Sequence, residues 1–335
     1  MNGDQVQNVS EFLDKSGWGA ASRTPLAGDA SNRRYERLVK GRDRAVLMIA
    51  KPGSQSPFVN IAKALSDYGY SAPGILSADV PAGFLLLEDL GDDLFARIMN
   101  SNPALECEAY EAATDVLVKL RSTQPPDGLA RPDPESLADM TGLAHDFYVP
   151  ADLPDRKHAV RTELAEALDK TNSGAPTLAL RDFHAENLIW LPERAGLNRV
   201  GLLDFQDAQL MHPAYDLISL TQDARRDLGA GLAQHLTQRF IENTGANEAA
   251  FLKDAATIAA QRNLRILGIF ARLAIRDKKP AYIDFIPRVW NHLMQDLAHP
   301  HLSHLRKLLV ADLPPPGTSF LQSLRDQCRT NLIHS

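Results

Sequence analysis

Hydrophobic positions in the first ninety residues follow two different spacings. In residues 6–16 the apolar side chains recur every three or four positions, which predicts an amphipathic helix ending at Gly17. Residues 45–50 and 83–87 are short continuous apolar runs, typical of buried strands. Residues 58–68 return to helical spacing. This part of the chain is therefore predicted to combine a small sheet with packing helices.

The rest of the chain is mostly helical in pattern. Residues 103–121 and 228–243 carry apolar side chains at helical spacing. Residues 247–276 are apolar around most of the circumference, which predicts a long buried helix. Four polar residues interrupt this helix: Gln261, Arg262, Asn263 and Arg265. Buried polar groups need partners, and either salt bridges with neighbouring helices or an acceptor pocket would supply them.

Three further segments are less regular. Residues 124–134 are rich in proline and predict a connector within the helical part rather than a flexible linker. Residues 135–149 predict a surface helix, with an approach to an acceptor pocket as the alternative. Residues 314–335 are expected to form a packing tail.

Composition narrows the class of protein. A chain of 335 residues that is 44% hydrophobic can form two lobes or domains, each with its own core. The balance of 36 basic and 42 acidic residues argues against a nucleic-acid partner. Two cysteines without clustering argue against a disulfide scaffold or a zinc site. No segment offers the roughly 18 consecutive apolar residues of a membrane span, and no signal-like start is present, so the expected location is the cytoplasm.

The segment 178–217 carries the candidate chemistry. Asp182 and Asn187 form D-x-x-x-x-N, and Asp204 ends a later apolar run. Phosphoryl transfer uses one carboxylate to take the proton of the attacking hydroxyl, and an amide and a second carboxylate to hold Mg²⁺ against nucleotide phosphates. These residue types occur here in that order. Asp182 is therefore the candidate base, and the other two are candidate metal ligands.

The spacing of these residues supports the assignment. Two short apolar runs, residues 188–191 and 199–203, separate Asp182 from Asp204, and a hairpin between them would bring the two acids together. The alternative is that all three polar residues merely occupy loops and strand ends, where such residues are common. The ordered set favours the catalytic interpretation.

At these residues the chain resembles the aminoglycoside phosphotransferase family, which is related to choline kinases and shares its architecture with protein kinases. The family pattern is approximately H-G-D-x-x-x-x-N, then I-D-F-G-x-A-x-x-G-D-P-x-x-D-L. The positions in register are Asp182, Asn187, Asp204, Phe205, Ala208, Pro213, Asp216 and Leu217. The departures are Leu180, Arg181, Gln206, Met211 and His212. None of the departures removes the base or a metal ligand.

The resemblance implies an α+β, bilobal, protein-kinase-like fold. Residues 1–90 would form a small N-terminal lobe with an antiparallel sheet that binds the nucleotide. Residues 91–335 would form a larger, mainly helical lobe for catalysis and acceptor binding. The hinge is expected at about residues 88–91, because an apolar strand there runs into an acidic turn and then a helix.

The resemblance also implies sites for ATP and Mg²⁺. A small, polar loop would cover the nucleotide phosphates: Gly28, Asp29, Ala30, Ser31, Asn32 and Arg33. Main-chain groups of Glu88, Asp89 and Leu90 would meet the adenine edge, with little role for their side chains. Lys51 follows one residue after the strand that would carry the phosphate-binding lysine of kinases. It is either a phosphate contact or a solvated lysine.

The remaining site residues would assist the base and the metal ligands. Arg181 would neutralise charge on the transferring group or would anchor its loop. Asp216 would steady the catalytic loop through hydrogen bonds, and Asp207 would have a similar supporting role.

The wording LRDFHAENLIW, GLLDFQDA and QRNLRILGIFARLAIRDKK resembles a narrower bacterial group, the anomeric kinases of cell-wall recycling that act on N-acetylmuramate and N-acetylglucosamine. The expected acceptor is thus a small amino sugar. An aminoglycoside kinase is one rival, although Arg181, Arg225 and Arg226 suit an anionic acceptor better than a polycation. Other small-molecule kinases of the choline or homoserine type remain possible, as does a non-catalytic nucleotide-binding protein. The oligomeric state stays open.

Overall fold

The computed structural model describes residues 3–26 and 33–333. Contacts between Cα atoms divide the chain into two compact units. The first contains residues 1–116 and 180–208, and the second contains residues 117–179 and 209–335. Among the described residues, no helix is long and apolar enough to cross a membrane.

The first unit is built on an antiparallel sheet of five strands in the order β1-β2-β3-β5-β4. The strands are β1 (Ser22–Leu26), β2 (Arg34–Lys40), β3 (Asp43–Ile49), β4 (Ile75–Asp79) and β5 (Phe84–Glu88). The two apolar runs predicted as strands are the neighbouring strands β3 and β5. This sheet, together with the many helices of the chain, confirms the predicted α+β class.

The first unit also contains helices. They are α1 (Gly3–Lys15), α2 (Ser56–Asp67), α3 (Phe95–Ser101) and the start of α4 (Glu106–Ser122), with a 3₁₀ turn at Pro103–Leu105. The apolar face of α1 packs on alternate residues of the sheet, where Phe12 meets Phe84 with ring centroids 5.6 Å apart. Alternation along a strand places every second side chain on one face, so α1 covers a single face of the sheet.

A second, smaller ladder in the first unit forms the predicted hairpin. Strands β7 (Leu188–Trp190) and β8 (Val200–Leu202) pair antiparallel, and a 3₁₀ turn at Gly196–Arg199 precedes β8. The Leu202 amide also donates to the Ser71 carbonyl at 2.8 Å. The hairpin is thereby fixed within this unit.

The second unit is mainly helical. Its helices are the end of α4, α5 (Pro134–Asp139), α6 (Leu143–Phe147), α7 (Pro154–Asp169), α8 (Ala214–Thr221), α9 (Leu232–Thr244), α10 (Glu248–Ile275), α11 (Ile286–Asp296), α12 (Ser303–Asp312) and α13 (Thr318–Ile333). Three 3₁₀ turns lie at Met140–Gly142, Pro280–Phe285 and Pro300–Leu302. Strands β6 (Thr177–Ala179) and β9 (Gln209–Met211) pair antiparallel.

Helix α10 is the buried helix that its pattern predicted. Three of its four polar residues donate hydrogen bonds to neighbouring segments. Gln261 Nε2 donates to a backbone carbonyl of α5 at 2.8 Å, and Arg262 donates to the Ser219 hydroxyl at 2.7 Å. Asn263 Nδ2 donates to the Asp296 carboxylate at 2.8 Å. Neighbouring segments of the second unit thus accept hydrogen bonds from these three side chains, while Arg262 Nη1 and Asn263 Oδ1 are buried without a hydrogen-bond partner among the described residues.

The prediction of a surface helix at residues 135–149 is wrong. His145 and Tyr148 are buried: His145 Nε2 lies 3.2 Å from the Asp312 carboxylate, and the Tyr148 hydroxyl donates to the Pro314 carbonyl at 2.7 Å. The short helices in this segment are covered by residues more than 160 positions later, which no local pattern reveals. The expected packing tail contains helix α13.

The predicted lobe boundary concerns which part of the chain binds nucleotide and which binds acceptor. The compact units divide the chain at residue 116 and return residues 180–208 to the first unit. The assignment of nucleotide binding to residues 1–90 and of acceptor binding to residues 91–335 stays a prediction.

Candidate active site

The loop that carries Asp182 is tightly ordered by its own backbone. The Asp182 amide donates to the Leu180 carbonyl at 3.0 Å, and the Asp182 carbonyl accepts from the His184 amide at 3.1 Å. Arg181 has a φ of 72°, in the left-handed region that non-glycine residues seldom occupy. The family pattern has glycine at this position, so the chain keeps the turn without the residue that fits it best.

Asn187 is attached to the same loop. Its Nδ2 donates to the Asp182 carbonyl at 3.0 Å, and its own carbonyl accepts from the Leu203 amide at 2.9 Å. The first bond fixes the orientation of the side-chain amide, and the second links the loop to the end of β8. The structure therefore joins Asp182 and Asn187 to the strand that leads into Asp204.

Asp204 lies directly beyond β8 with a φ of 55°, also in the left-handed region. Its carboxylate accepts a hydrogen bond from Gln206 Nε2 at 2.8 Å and lies 3.9 Å from a guanidinium nitrogen of Arg33. Its side chain remains 45% exposed. The next residue, Phe205, is fully buried and stacks on Phe58 of α2 with ring centroids 4.9 Å apart. The buried ring anchors the exposed acid.

The charges around Asp204 favour a bound cation. Desolvation by neighbouring atoms raises the pKa of Asp204, and the nearby carboxylates of Asp182 and Asp207 raise it further. Hydrogen bonding from Gln206 and the charge of Arg33 act in the opposite direction. The Asp204 carboxylate and the side-chain amide oxygen of Asn187 are oxygen donors of the kind that Mg²⁺ prefers. The donor set therefore fits this ion.

Arg181 and Asp207 are joined across the loop. An Arg181 guanidinium nitrogen lies 3.3 Å from the Asp207 carbonyl, which it reaches as a hydrogen-bond donor. This contact agrees with the anchoring role considered for Arg181. A role in neutralising transferred charge stays a prediction for Arg181, and so does the supporting role of Asp207.

Most of the predicted phosphate loop, residues 28–32, lies outside the described residues. Arg33 is described, and its distance to Asp204 places one end of the predicted loop beside a candidate metal ligand. Tyr35, which the sequence analysis did not single out, interacts with Arg33 and with the charge of Asp204. Lys51 is exposed on a bend after β3, and its role as a phosphate contact stays a prediction.

The predicted nucleotide segment Glu88–Leu90 ends β5. Leu90 is buried, and the side chains of the two acids contact arginines. The expectation that the main chain of this segment meets the adenine edge, with little role for its side chains, stays a prediction. Glu88 accepts a hydrogen bond from Arg194 at 2.6 Å, and the Asp89 carboxylate accepts from Arg37 at 2.9 Å. Both arginines lie far from these acids in sequence, so local reasoning missed them.

Asp216 belongs to the second unit. It is buried in the first turn of α8. A buried carboxylate in the first turn of a helix is stabilised by the backbone N–H groups there. Its predicted role in steadying the catalytic loop stays a prediction.

A fold with a small antiparallel sheet, a helical unit and this ordered set of acids and amide defines a kinase-like phosphotransferase. Comparison with known families agrees: the sequence pattern of the "Phosphotransferase enzyme family" matches residues 22–252. The chain belongs to this family. It is a small-molecule kinase that uses an alcohol group as acceptor.

Two relatives are similar over nearly their whole length. The N-acetylmuramate/N-acetylglucosamine kinase of Caulobacter vibrioides is 37% identical, over 91% of this chain and 96% of the relative. The N-acetylmuramate/N-acetylglucosamine kinase of Pseudomonas aeruginosa is 30% identical, over 91% of this chain and 94% of the relative. The predicted resemblance to this narrower group is confirmed.

Solved structures show the same fold at lower identity. The choline/ethanolamine kinase family protein from Mesorhizobium loti has a TM-score of 0.61 at 16% identity, covering 91% of this chain and 99% of that one. The ADP-bound aminoglycoside phosphotransferase APH(2'')-Ib has a TM-score of 0.59 at 12% identity, covering 88% and 99%. At such identities the likeness concerns the fold alone.

Proposed function

We propose that this chain transfers the γ-phosphoryl group of ATP, in the presence of Mg²⁺, to the anomeric hydroxyl of an amino sugar of the N-acetylmuramate or N-acetylglucosamine type. The observation that carries the proposal is the 37% identity, across 91% of the chain, to a kinase named for both sugars. The ordered loop that holds Asp182 and Asn187, joined to the strand before Asp204, supports the phosphotransfer step.

In this mechanism Asp182 orients the acceptor hydroxyl and removes its proton. Asn187 and Asp204 would hold the metal ion through their side-chain oxygens. Bound Mg²⁺ supplies charge neutralisation for the transferring phosphoryl group. An anomeric hydroxyl is more acidic than other sugar hydroxyls, so a carboxylate of moderate basicity suffices as its base.

Other predicted residues bind the nucleotide in this proposal. The loop 28–33 covers the phosphates, and the main chain of Glu88–Leu90 meets the adenine ring. Lys51 contacts a phosphate, and Arg181 lies beside the transferring group. The structural likeness to an ADP-bound phosphotransferase supports a nucleotide site on this fold.

The acceptor distinguishes this function from its rivals. Kinases of choline and aminoglycosides share the fold at 16% identity or less, whereas the amino-sugar kinases share much more of the sequence. The arginines Arg181, Arg225 and Arg226 also favour an acceptor that is not a polycation. These two observations favour the amino sugar over an aminoglycoside.

The test is ADP release with ATP, Mg²⁺ and one acceptor at a time: N-acetylmuramate, N-acetylglucosamine, kanamycin or choline. We expect turnover with the two amino sugars. The methyl glycoside of N-acetylglucosamine, which is blocked at the anomeric oxygen, should not be phosphorylated. Turnover of the methyl glycoside would refute the anomeric position, and turnover confined to kanamycin or choline would refute the acceptor class.

The metal site has a separate test. Asp204→Asn should increase the Mg²⁺ concentration needed for half-maximal rate by about tenfold or more, because a neutral amide replaces a charged ligand. Glu186→Gln is the control, since Glu186 is an exposed acid on the same loop. An unchanged Mg²⁺ requirement in the Asp204 variant would remove Asp204 from the metal site.

A further inference from the structure

Arg194 connects the β7–β8 hairpin to the end of β5. One branch of its guanidinium donates to the Glu88 carboxylate at 2.6 Å, and the other donates to the Ser71 hydroxyl at 2.8 Å. Ser71 in turn donates to the Asn198 carbonyl at 2.8 Å. The second Glu88 oxygen accepts from the Gly74 amide at 3.2 Å. Both oxygens of Glu88 thus accept a hydrogen bond, one from the hairpin loop and one from the Gly74 amide.

Arg37 of β2 holds the neighbouring acid. Its Nε lies 2.7 Å from one Asp89 oxygen, and another of its nitrogens donates to the second oxygen at 2.9 Å. Arg37 also contacts the Asp92 carboxylate at 2.6 Å. The Asp89 carboxylate additionally accepts from the Gly91 amide at 3.0 Å. Asp89 is only 3% exposed, so this two-pronged contact is well shielded from solvent.

The position of Arg194 within its hairpin gives this contact a functional meaning. Arg194 lies in the loop between β7 and β8, while Asn187 precedes β7 and Asp204 follows β8. One short hairpin therefore carries the candidate metal ligands at its open end and the Glu88 contact in its loop. If residues 88–92 moved against this hairpin, their distance from the candidate metal ligands would change.

We propose that Arg194 and Arg37 are positioning residues for the nucleotide. Together they fix the 88–92 segment, Arg194 against the metal-ligand hairpin and Arg37 against β2, so that the adenine end and the phosphate end of one ATP molecule are held at a set separation. The inference rests on the proposed function, because it requires that residues 88–90 bind the nucleotide. It adds two residues that no family motif in the sequence contains.

The experiment measures nucleotide and acceptor constants separately in Arg194→Gln. We expect KM for ATP to increase about fivefold, the ratio that an ion pair of about 1 kcal/mol produces. The kcat and KM for the amino sugar should stay within about twofold, since the recorded side-chain partners of Arg194 are Ser71 and Glu88 rather than Asp182. Arg194→Lys keeps the charge but cannot contact Glu88 and Ser71 at the same time. Its KM for ATP should therefore lie between that of the wild type and that of Arg194→Gln.

The chain offers a matched control on the same hairpin. Arg199 pairs with Glu108 at 2.5 Å and is 30% exposed, against 34% for Arg194, but its partner lies on α4 rather than at the 88–92 segment. Arg199→Gln should leave KM for ATP unchanged. Equal KM increases in the two variants, or a parallel increase in the acceptor KM of Arg194→Gln, would mean a general structural role and would overturn the inference.

Two further measurements separate the inference from the proposed function. The double variant Glu88→Gln/Arg194→Gln should have the KM of Arg194→Gln alone, whereas the product of two independent increases would overturn the pairing. Direct binding of a non-hydrolysable ATP analogue needs no acceptor. Binding that is equal in wild type and Arg194→Gln would refute only the inference, and no binding to the wild type would refute the proposed function as well.

Discussion

Two polar clusters, one in each compact unit, use the same residue types in opposite ways. In the first unit Asp182, Asn187 and Asp204 gather on loops, with Asp204 45% exposed and in a left-handed backbone conformation. In the second unit Asn263 and Asp296 are buried inside regular helices. The first cluster accumulates negative charge and backbone strain, as functional sites often do. The second cluster instead holds its carboxylate with hydrogen bonds from side-chain amides.

The chemistry of the partners explains this difference. Asp296 accepts hydrogen bonds from Gln222 and Asn263 at 2.8 Å each. Asp204 has one amide donor, and two further acids lie nearby. A group of carboxylates with few donors suits a metal ion, whereas a carboxylate between two amides fixes helix packing. The following predictions test this contrast, from the largest expected effect to the smallest.

The largest effect is expected from Asp182→Asn. Removal of the candidate base should lower kcat about a thousandfold, within the range that general bases contribute, while the thermal unfolding temperature changes little. ADP release measures the first quantity and calorimetry the second. The control is Glu186→Gln, which should retain activity. If the kcat of the Asp182→Asn variant stayed within tenfold of the wild-type kcat, Asp182 would be excluded as the base.

In the second unit, Asp296 should make the free energy of unfolding depend on pH. Burial raises the pKa of Asp296 to about 7, despite the opposing hydrogen bonds from Gln222 and Asn263. The folded protein binds this proton more tightly than the unfolded chain does. The contribution of Asp296 to the free energy of unfolding is therefore largest below about pH 4. It decreases as the pH rises to about 7, by at most about 4 kcal/mol.

Urea unfolding of wild type and Asp296→Asn between about pH 4.5 and 8 measures this contribution. The wild type should lose stability relative to the variant as the pH rises, because asparagine does not titrate. Asp152→Asn, at an exposed position, serves as control. A wild type and an Asp296→Asn variant with parallel pH dependence would contradict the assigned titration.

An intermediate effect is expected from Gly268→Ala in α10. An added Cβ would lie 2.4 Å from the Ala144 amide nitrogen and 2.5 Å from the Leu143 carbonyl carbon. Backbone atoms cannot move aside as a side chain can, so the variant should lose about 2 kcal/mol of stability, even though alanine favours helices. Ala271→Gly is a useful comparison, since it weakens the same helix without a clash. A Gly268→Ala variant with an unchanged free energy of unfolding would contradict the close contact between α6 and α10.

The smallest effect is expected from Arg181→Gly in the catalytic loop. Glycine adopts a φ of 72° without strain, so the variant should gain about 0.5 kcal/mol of stability after the loss of the Arg181 contact to Asp207. Its turnover should decrease if Arg181 lies beside the transferring phosphoryl group. Arg181→Lys retains the strain and the charge. A less stable Arg181→Gly variant would show that the hydrogen bond outweighs the backbone strain.

The local pattern of the chain predicted helices and strands more reliably than it predicted which distant residues pack against them. Helical spacing identified α1 and α10, and continuous apolar runs identified β3 and β5, because each pattern follows from the geometry of one element. The burial of His145 and Tyr148 was missed because Asp312 and Pro314, which cover them, are distant in sequence. For the same reason the sequence analysis missed Arg37 and Arg194 as partners of Asp89 and Glu88.

The sequence alone was sufficient to indicate a phosphotransferase with a hairpin between its acids. The signal was the order of Asp182, Asn187 and Asp204, together with the two apolar runs that separate the acids. The tertiary structure alone decided which backbone positions are strained, which polar groups of α10 are satisfied, and which arginines hold the 88–92 segment. The physical reason is the distance along the chain over which each property is determined. Spacing within one element reflects local backbone geometry, whereas hydrogen-bond partners and close helix contacts depend on where distant parts of the chain meet.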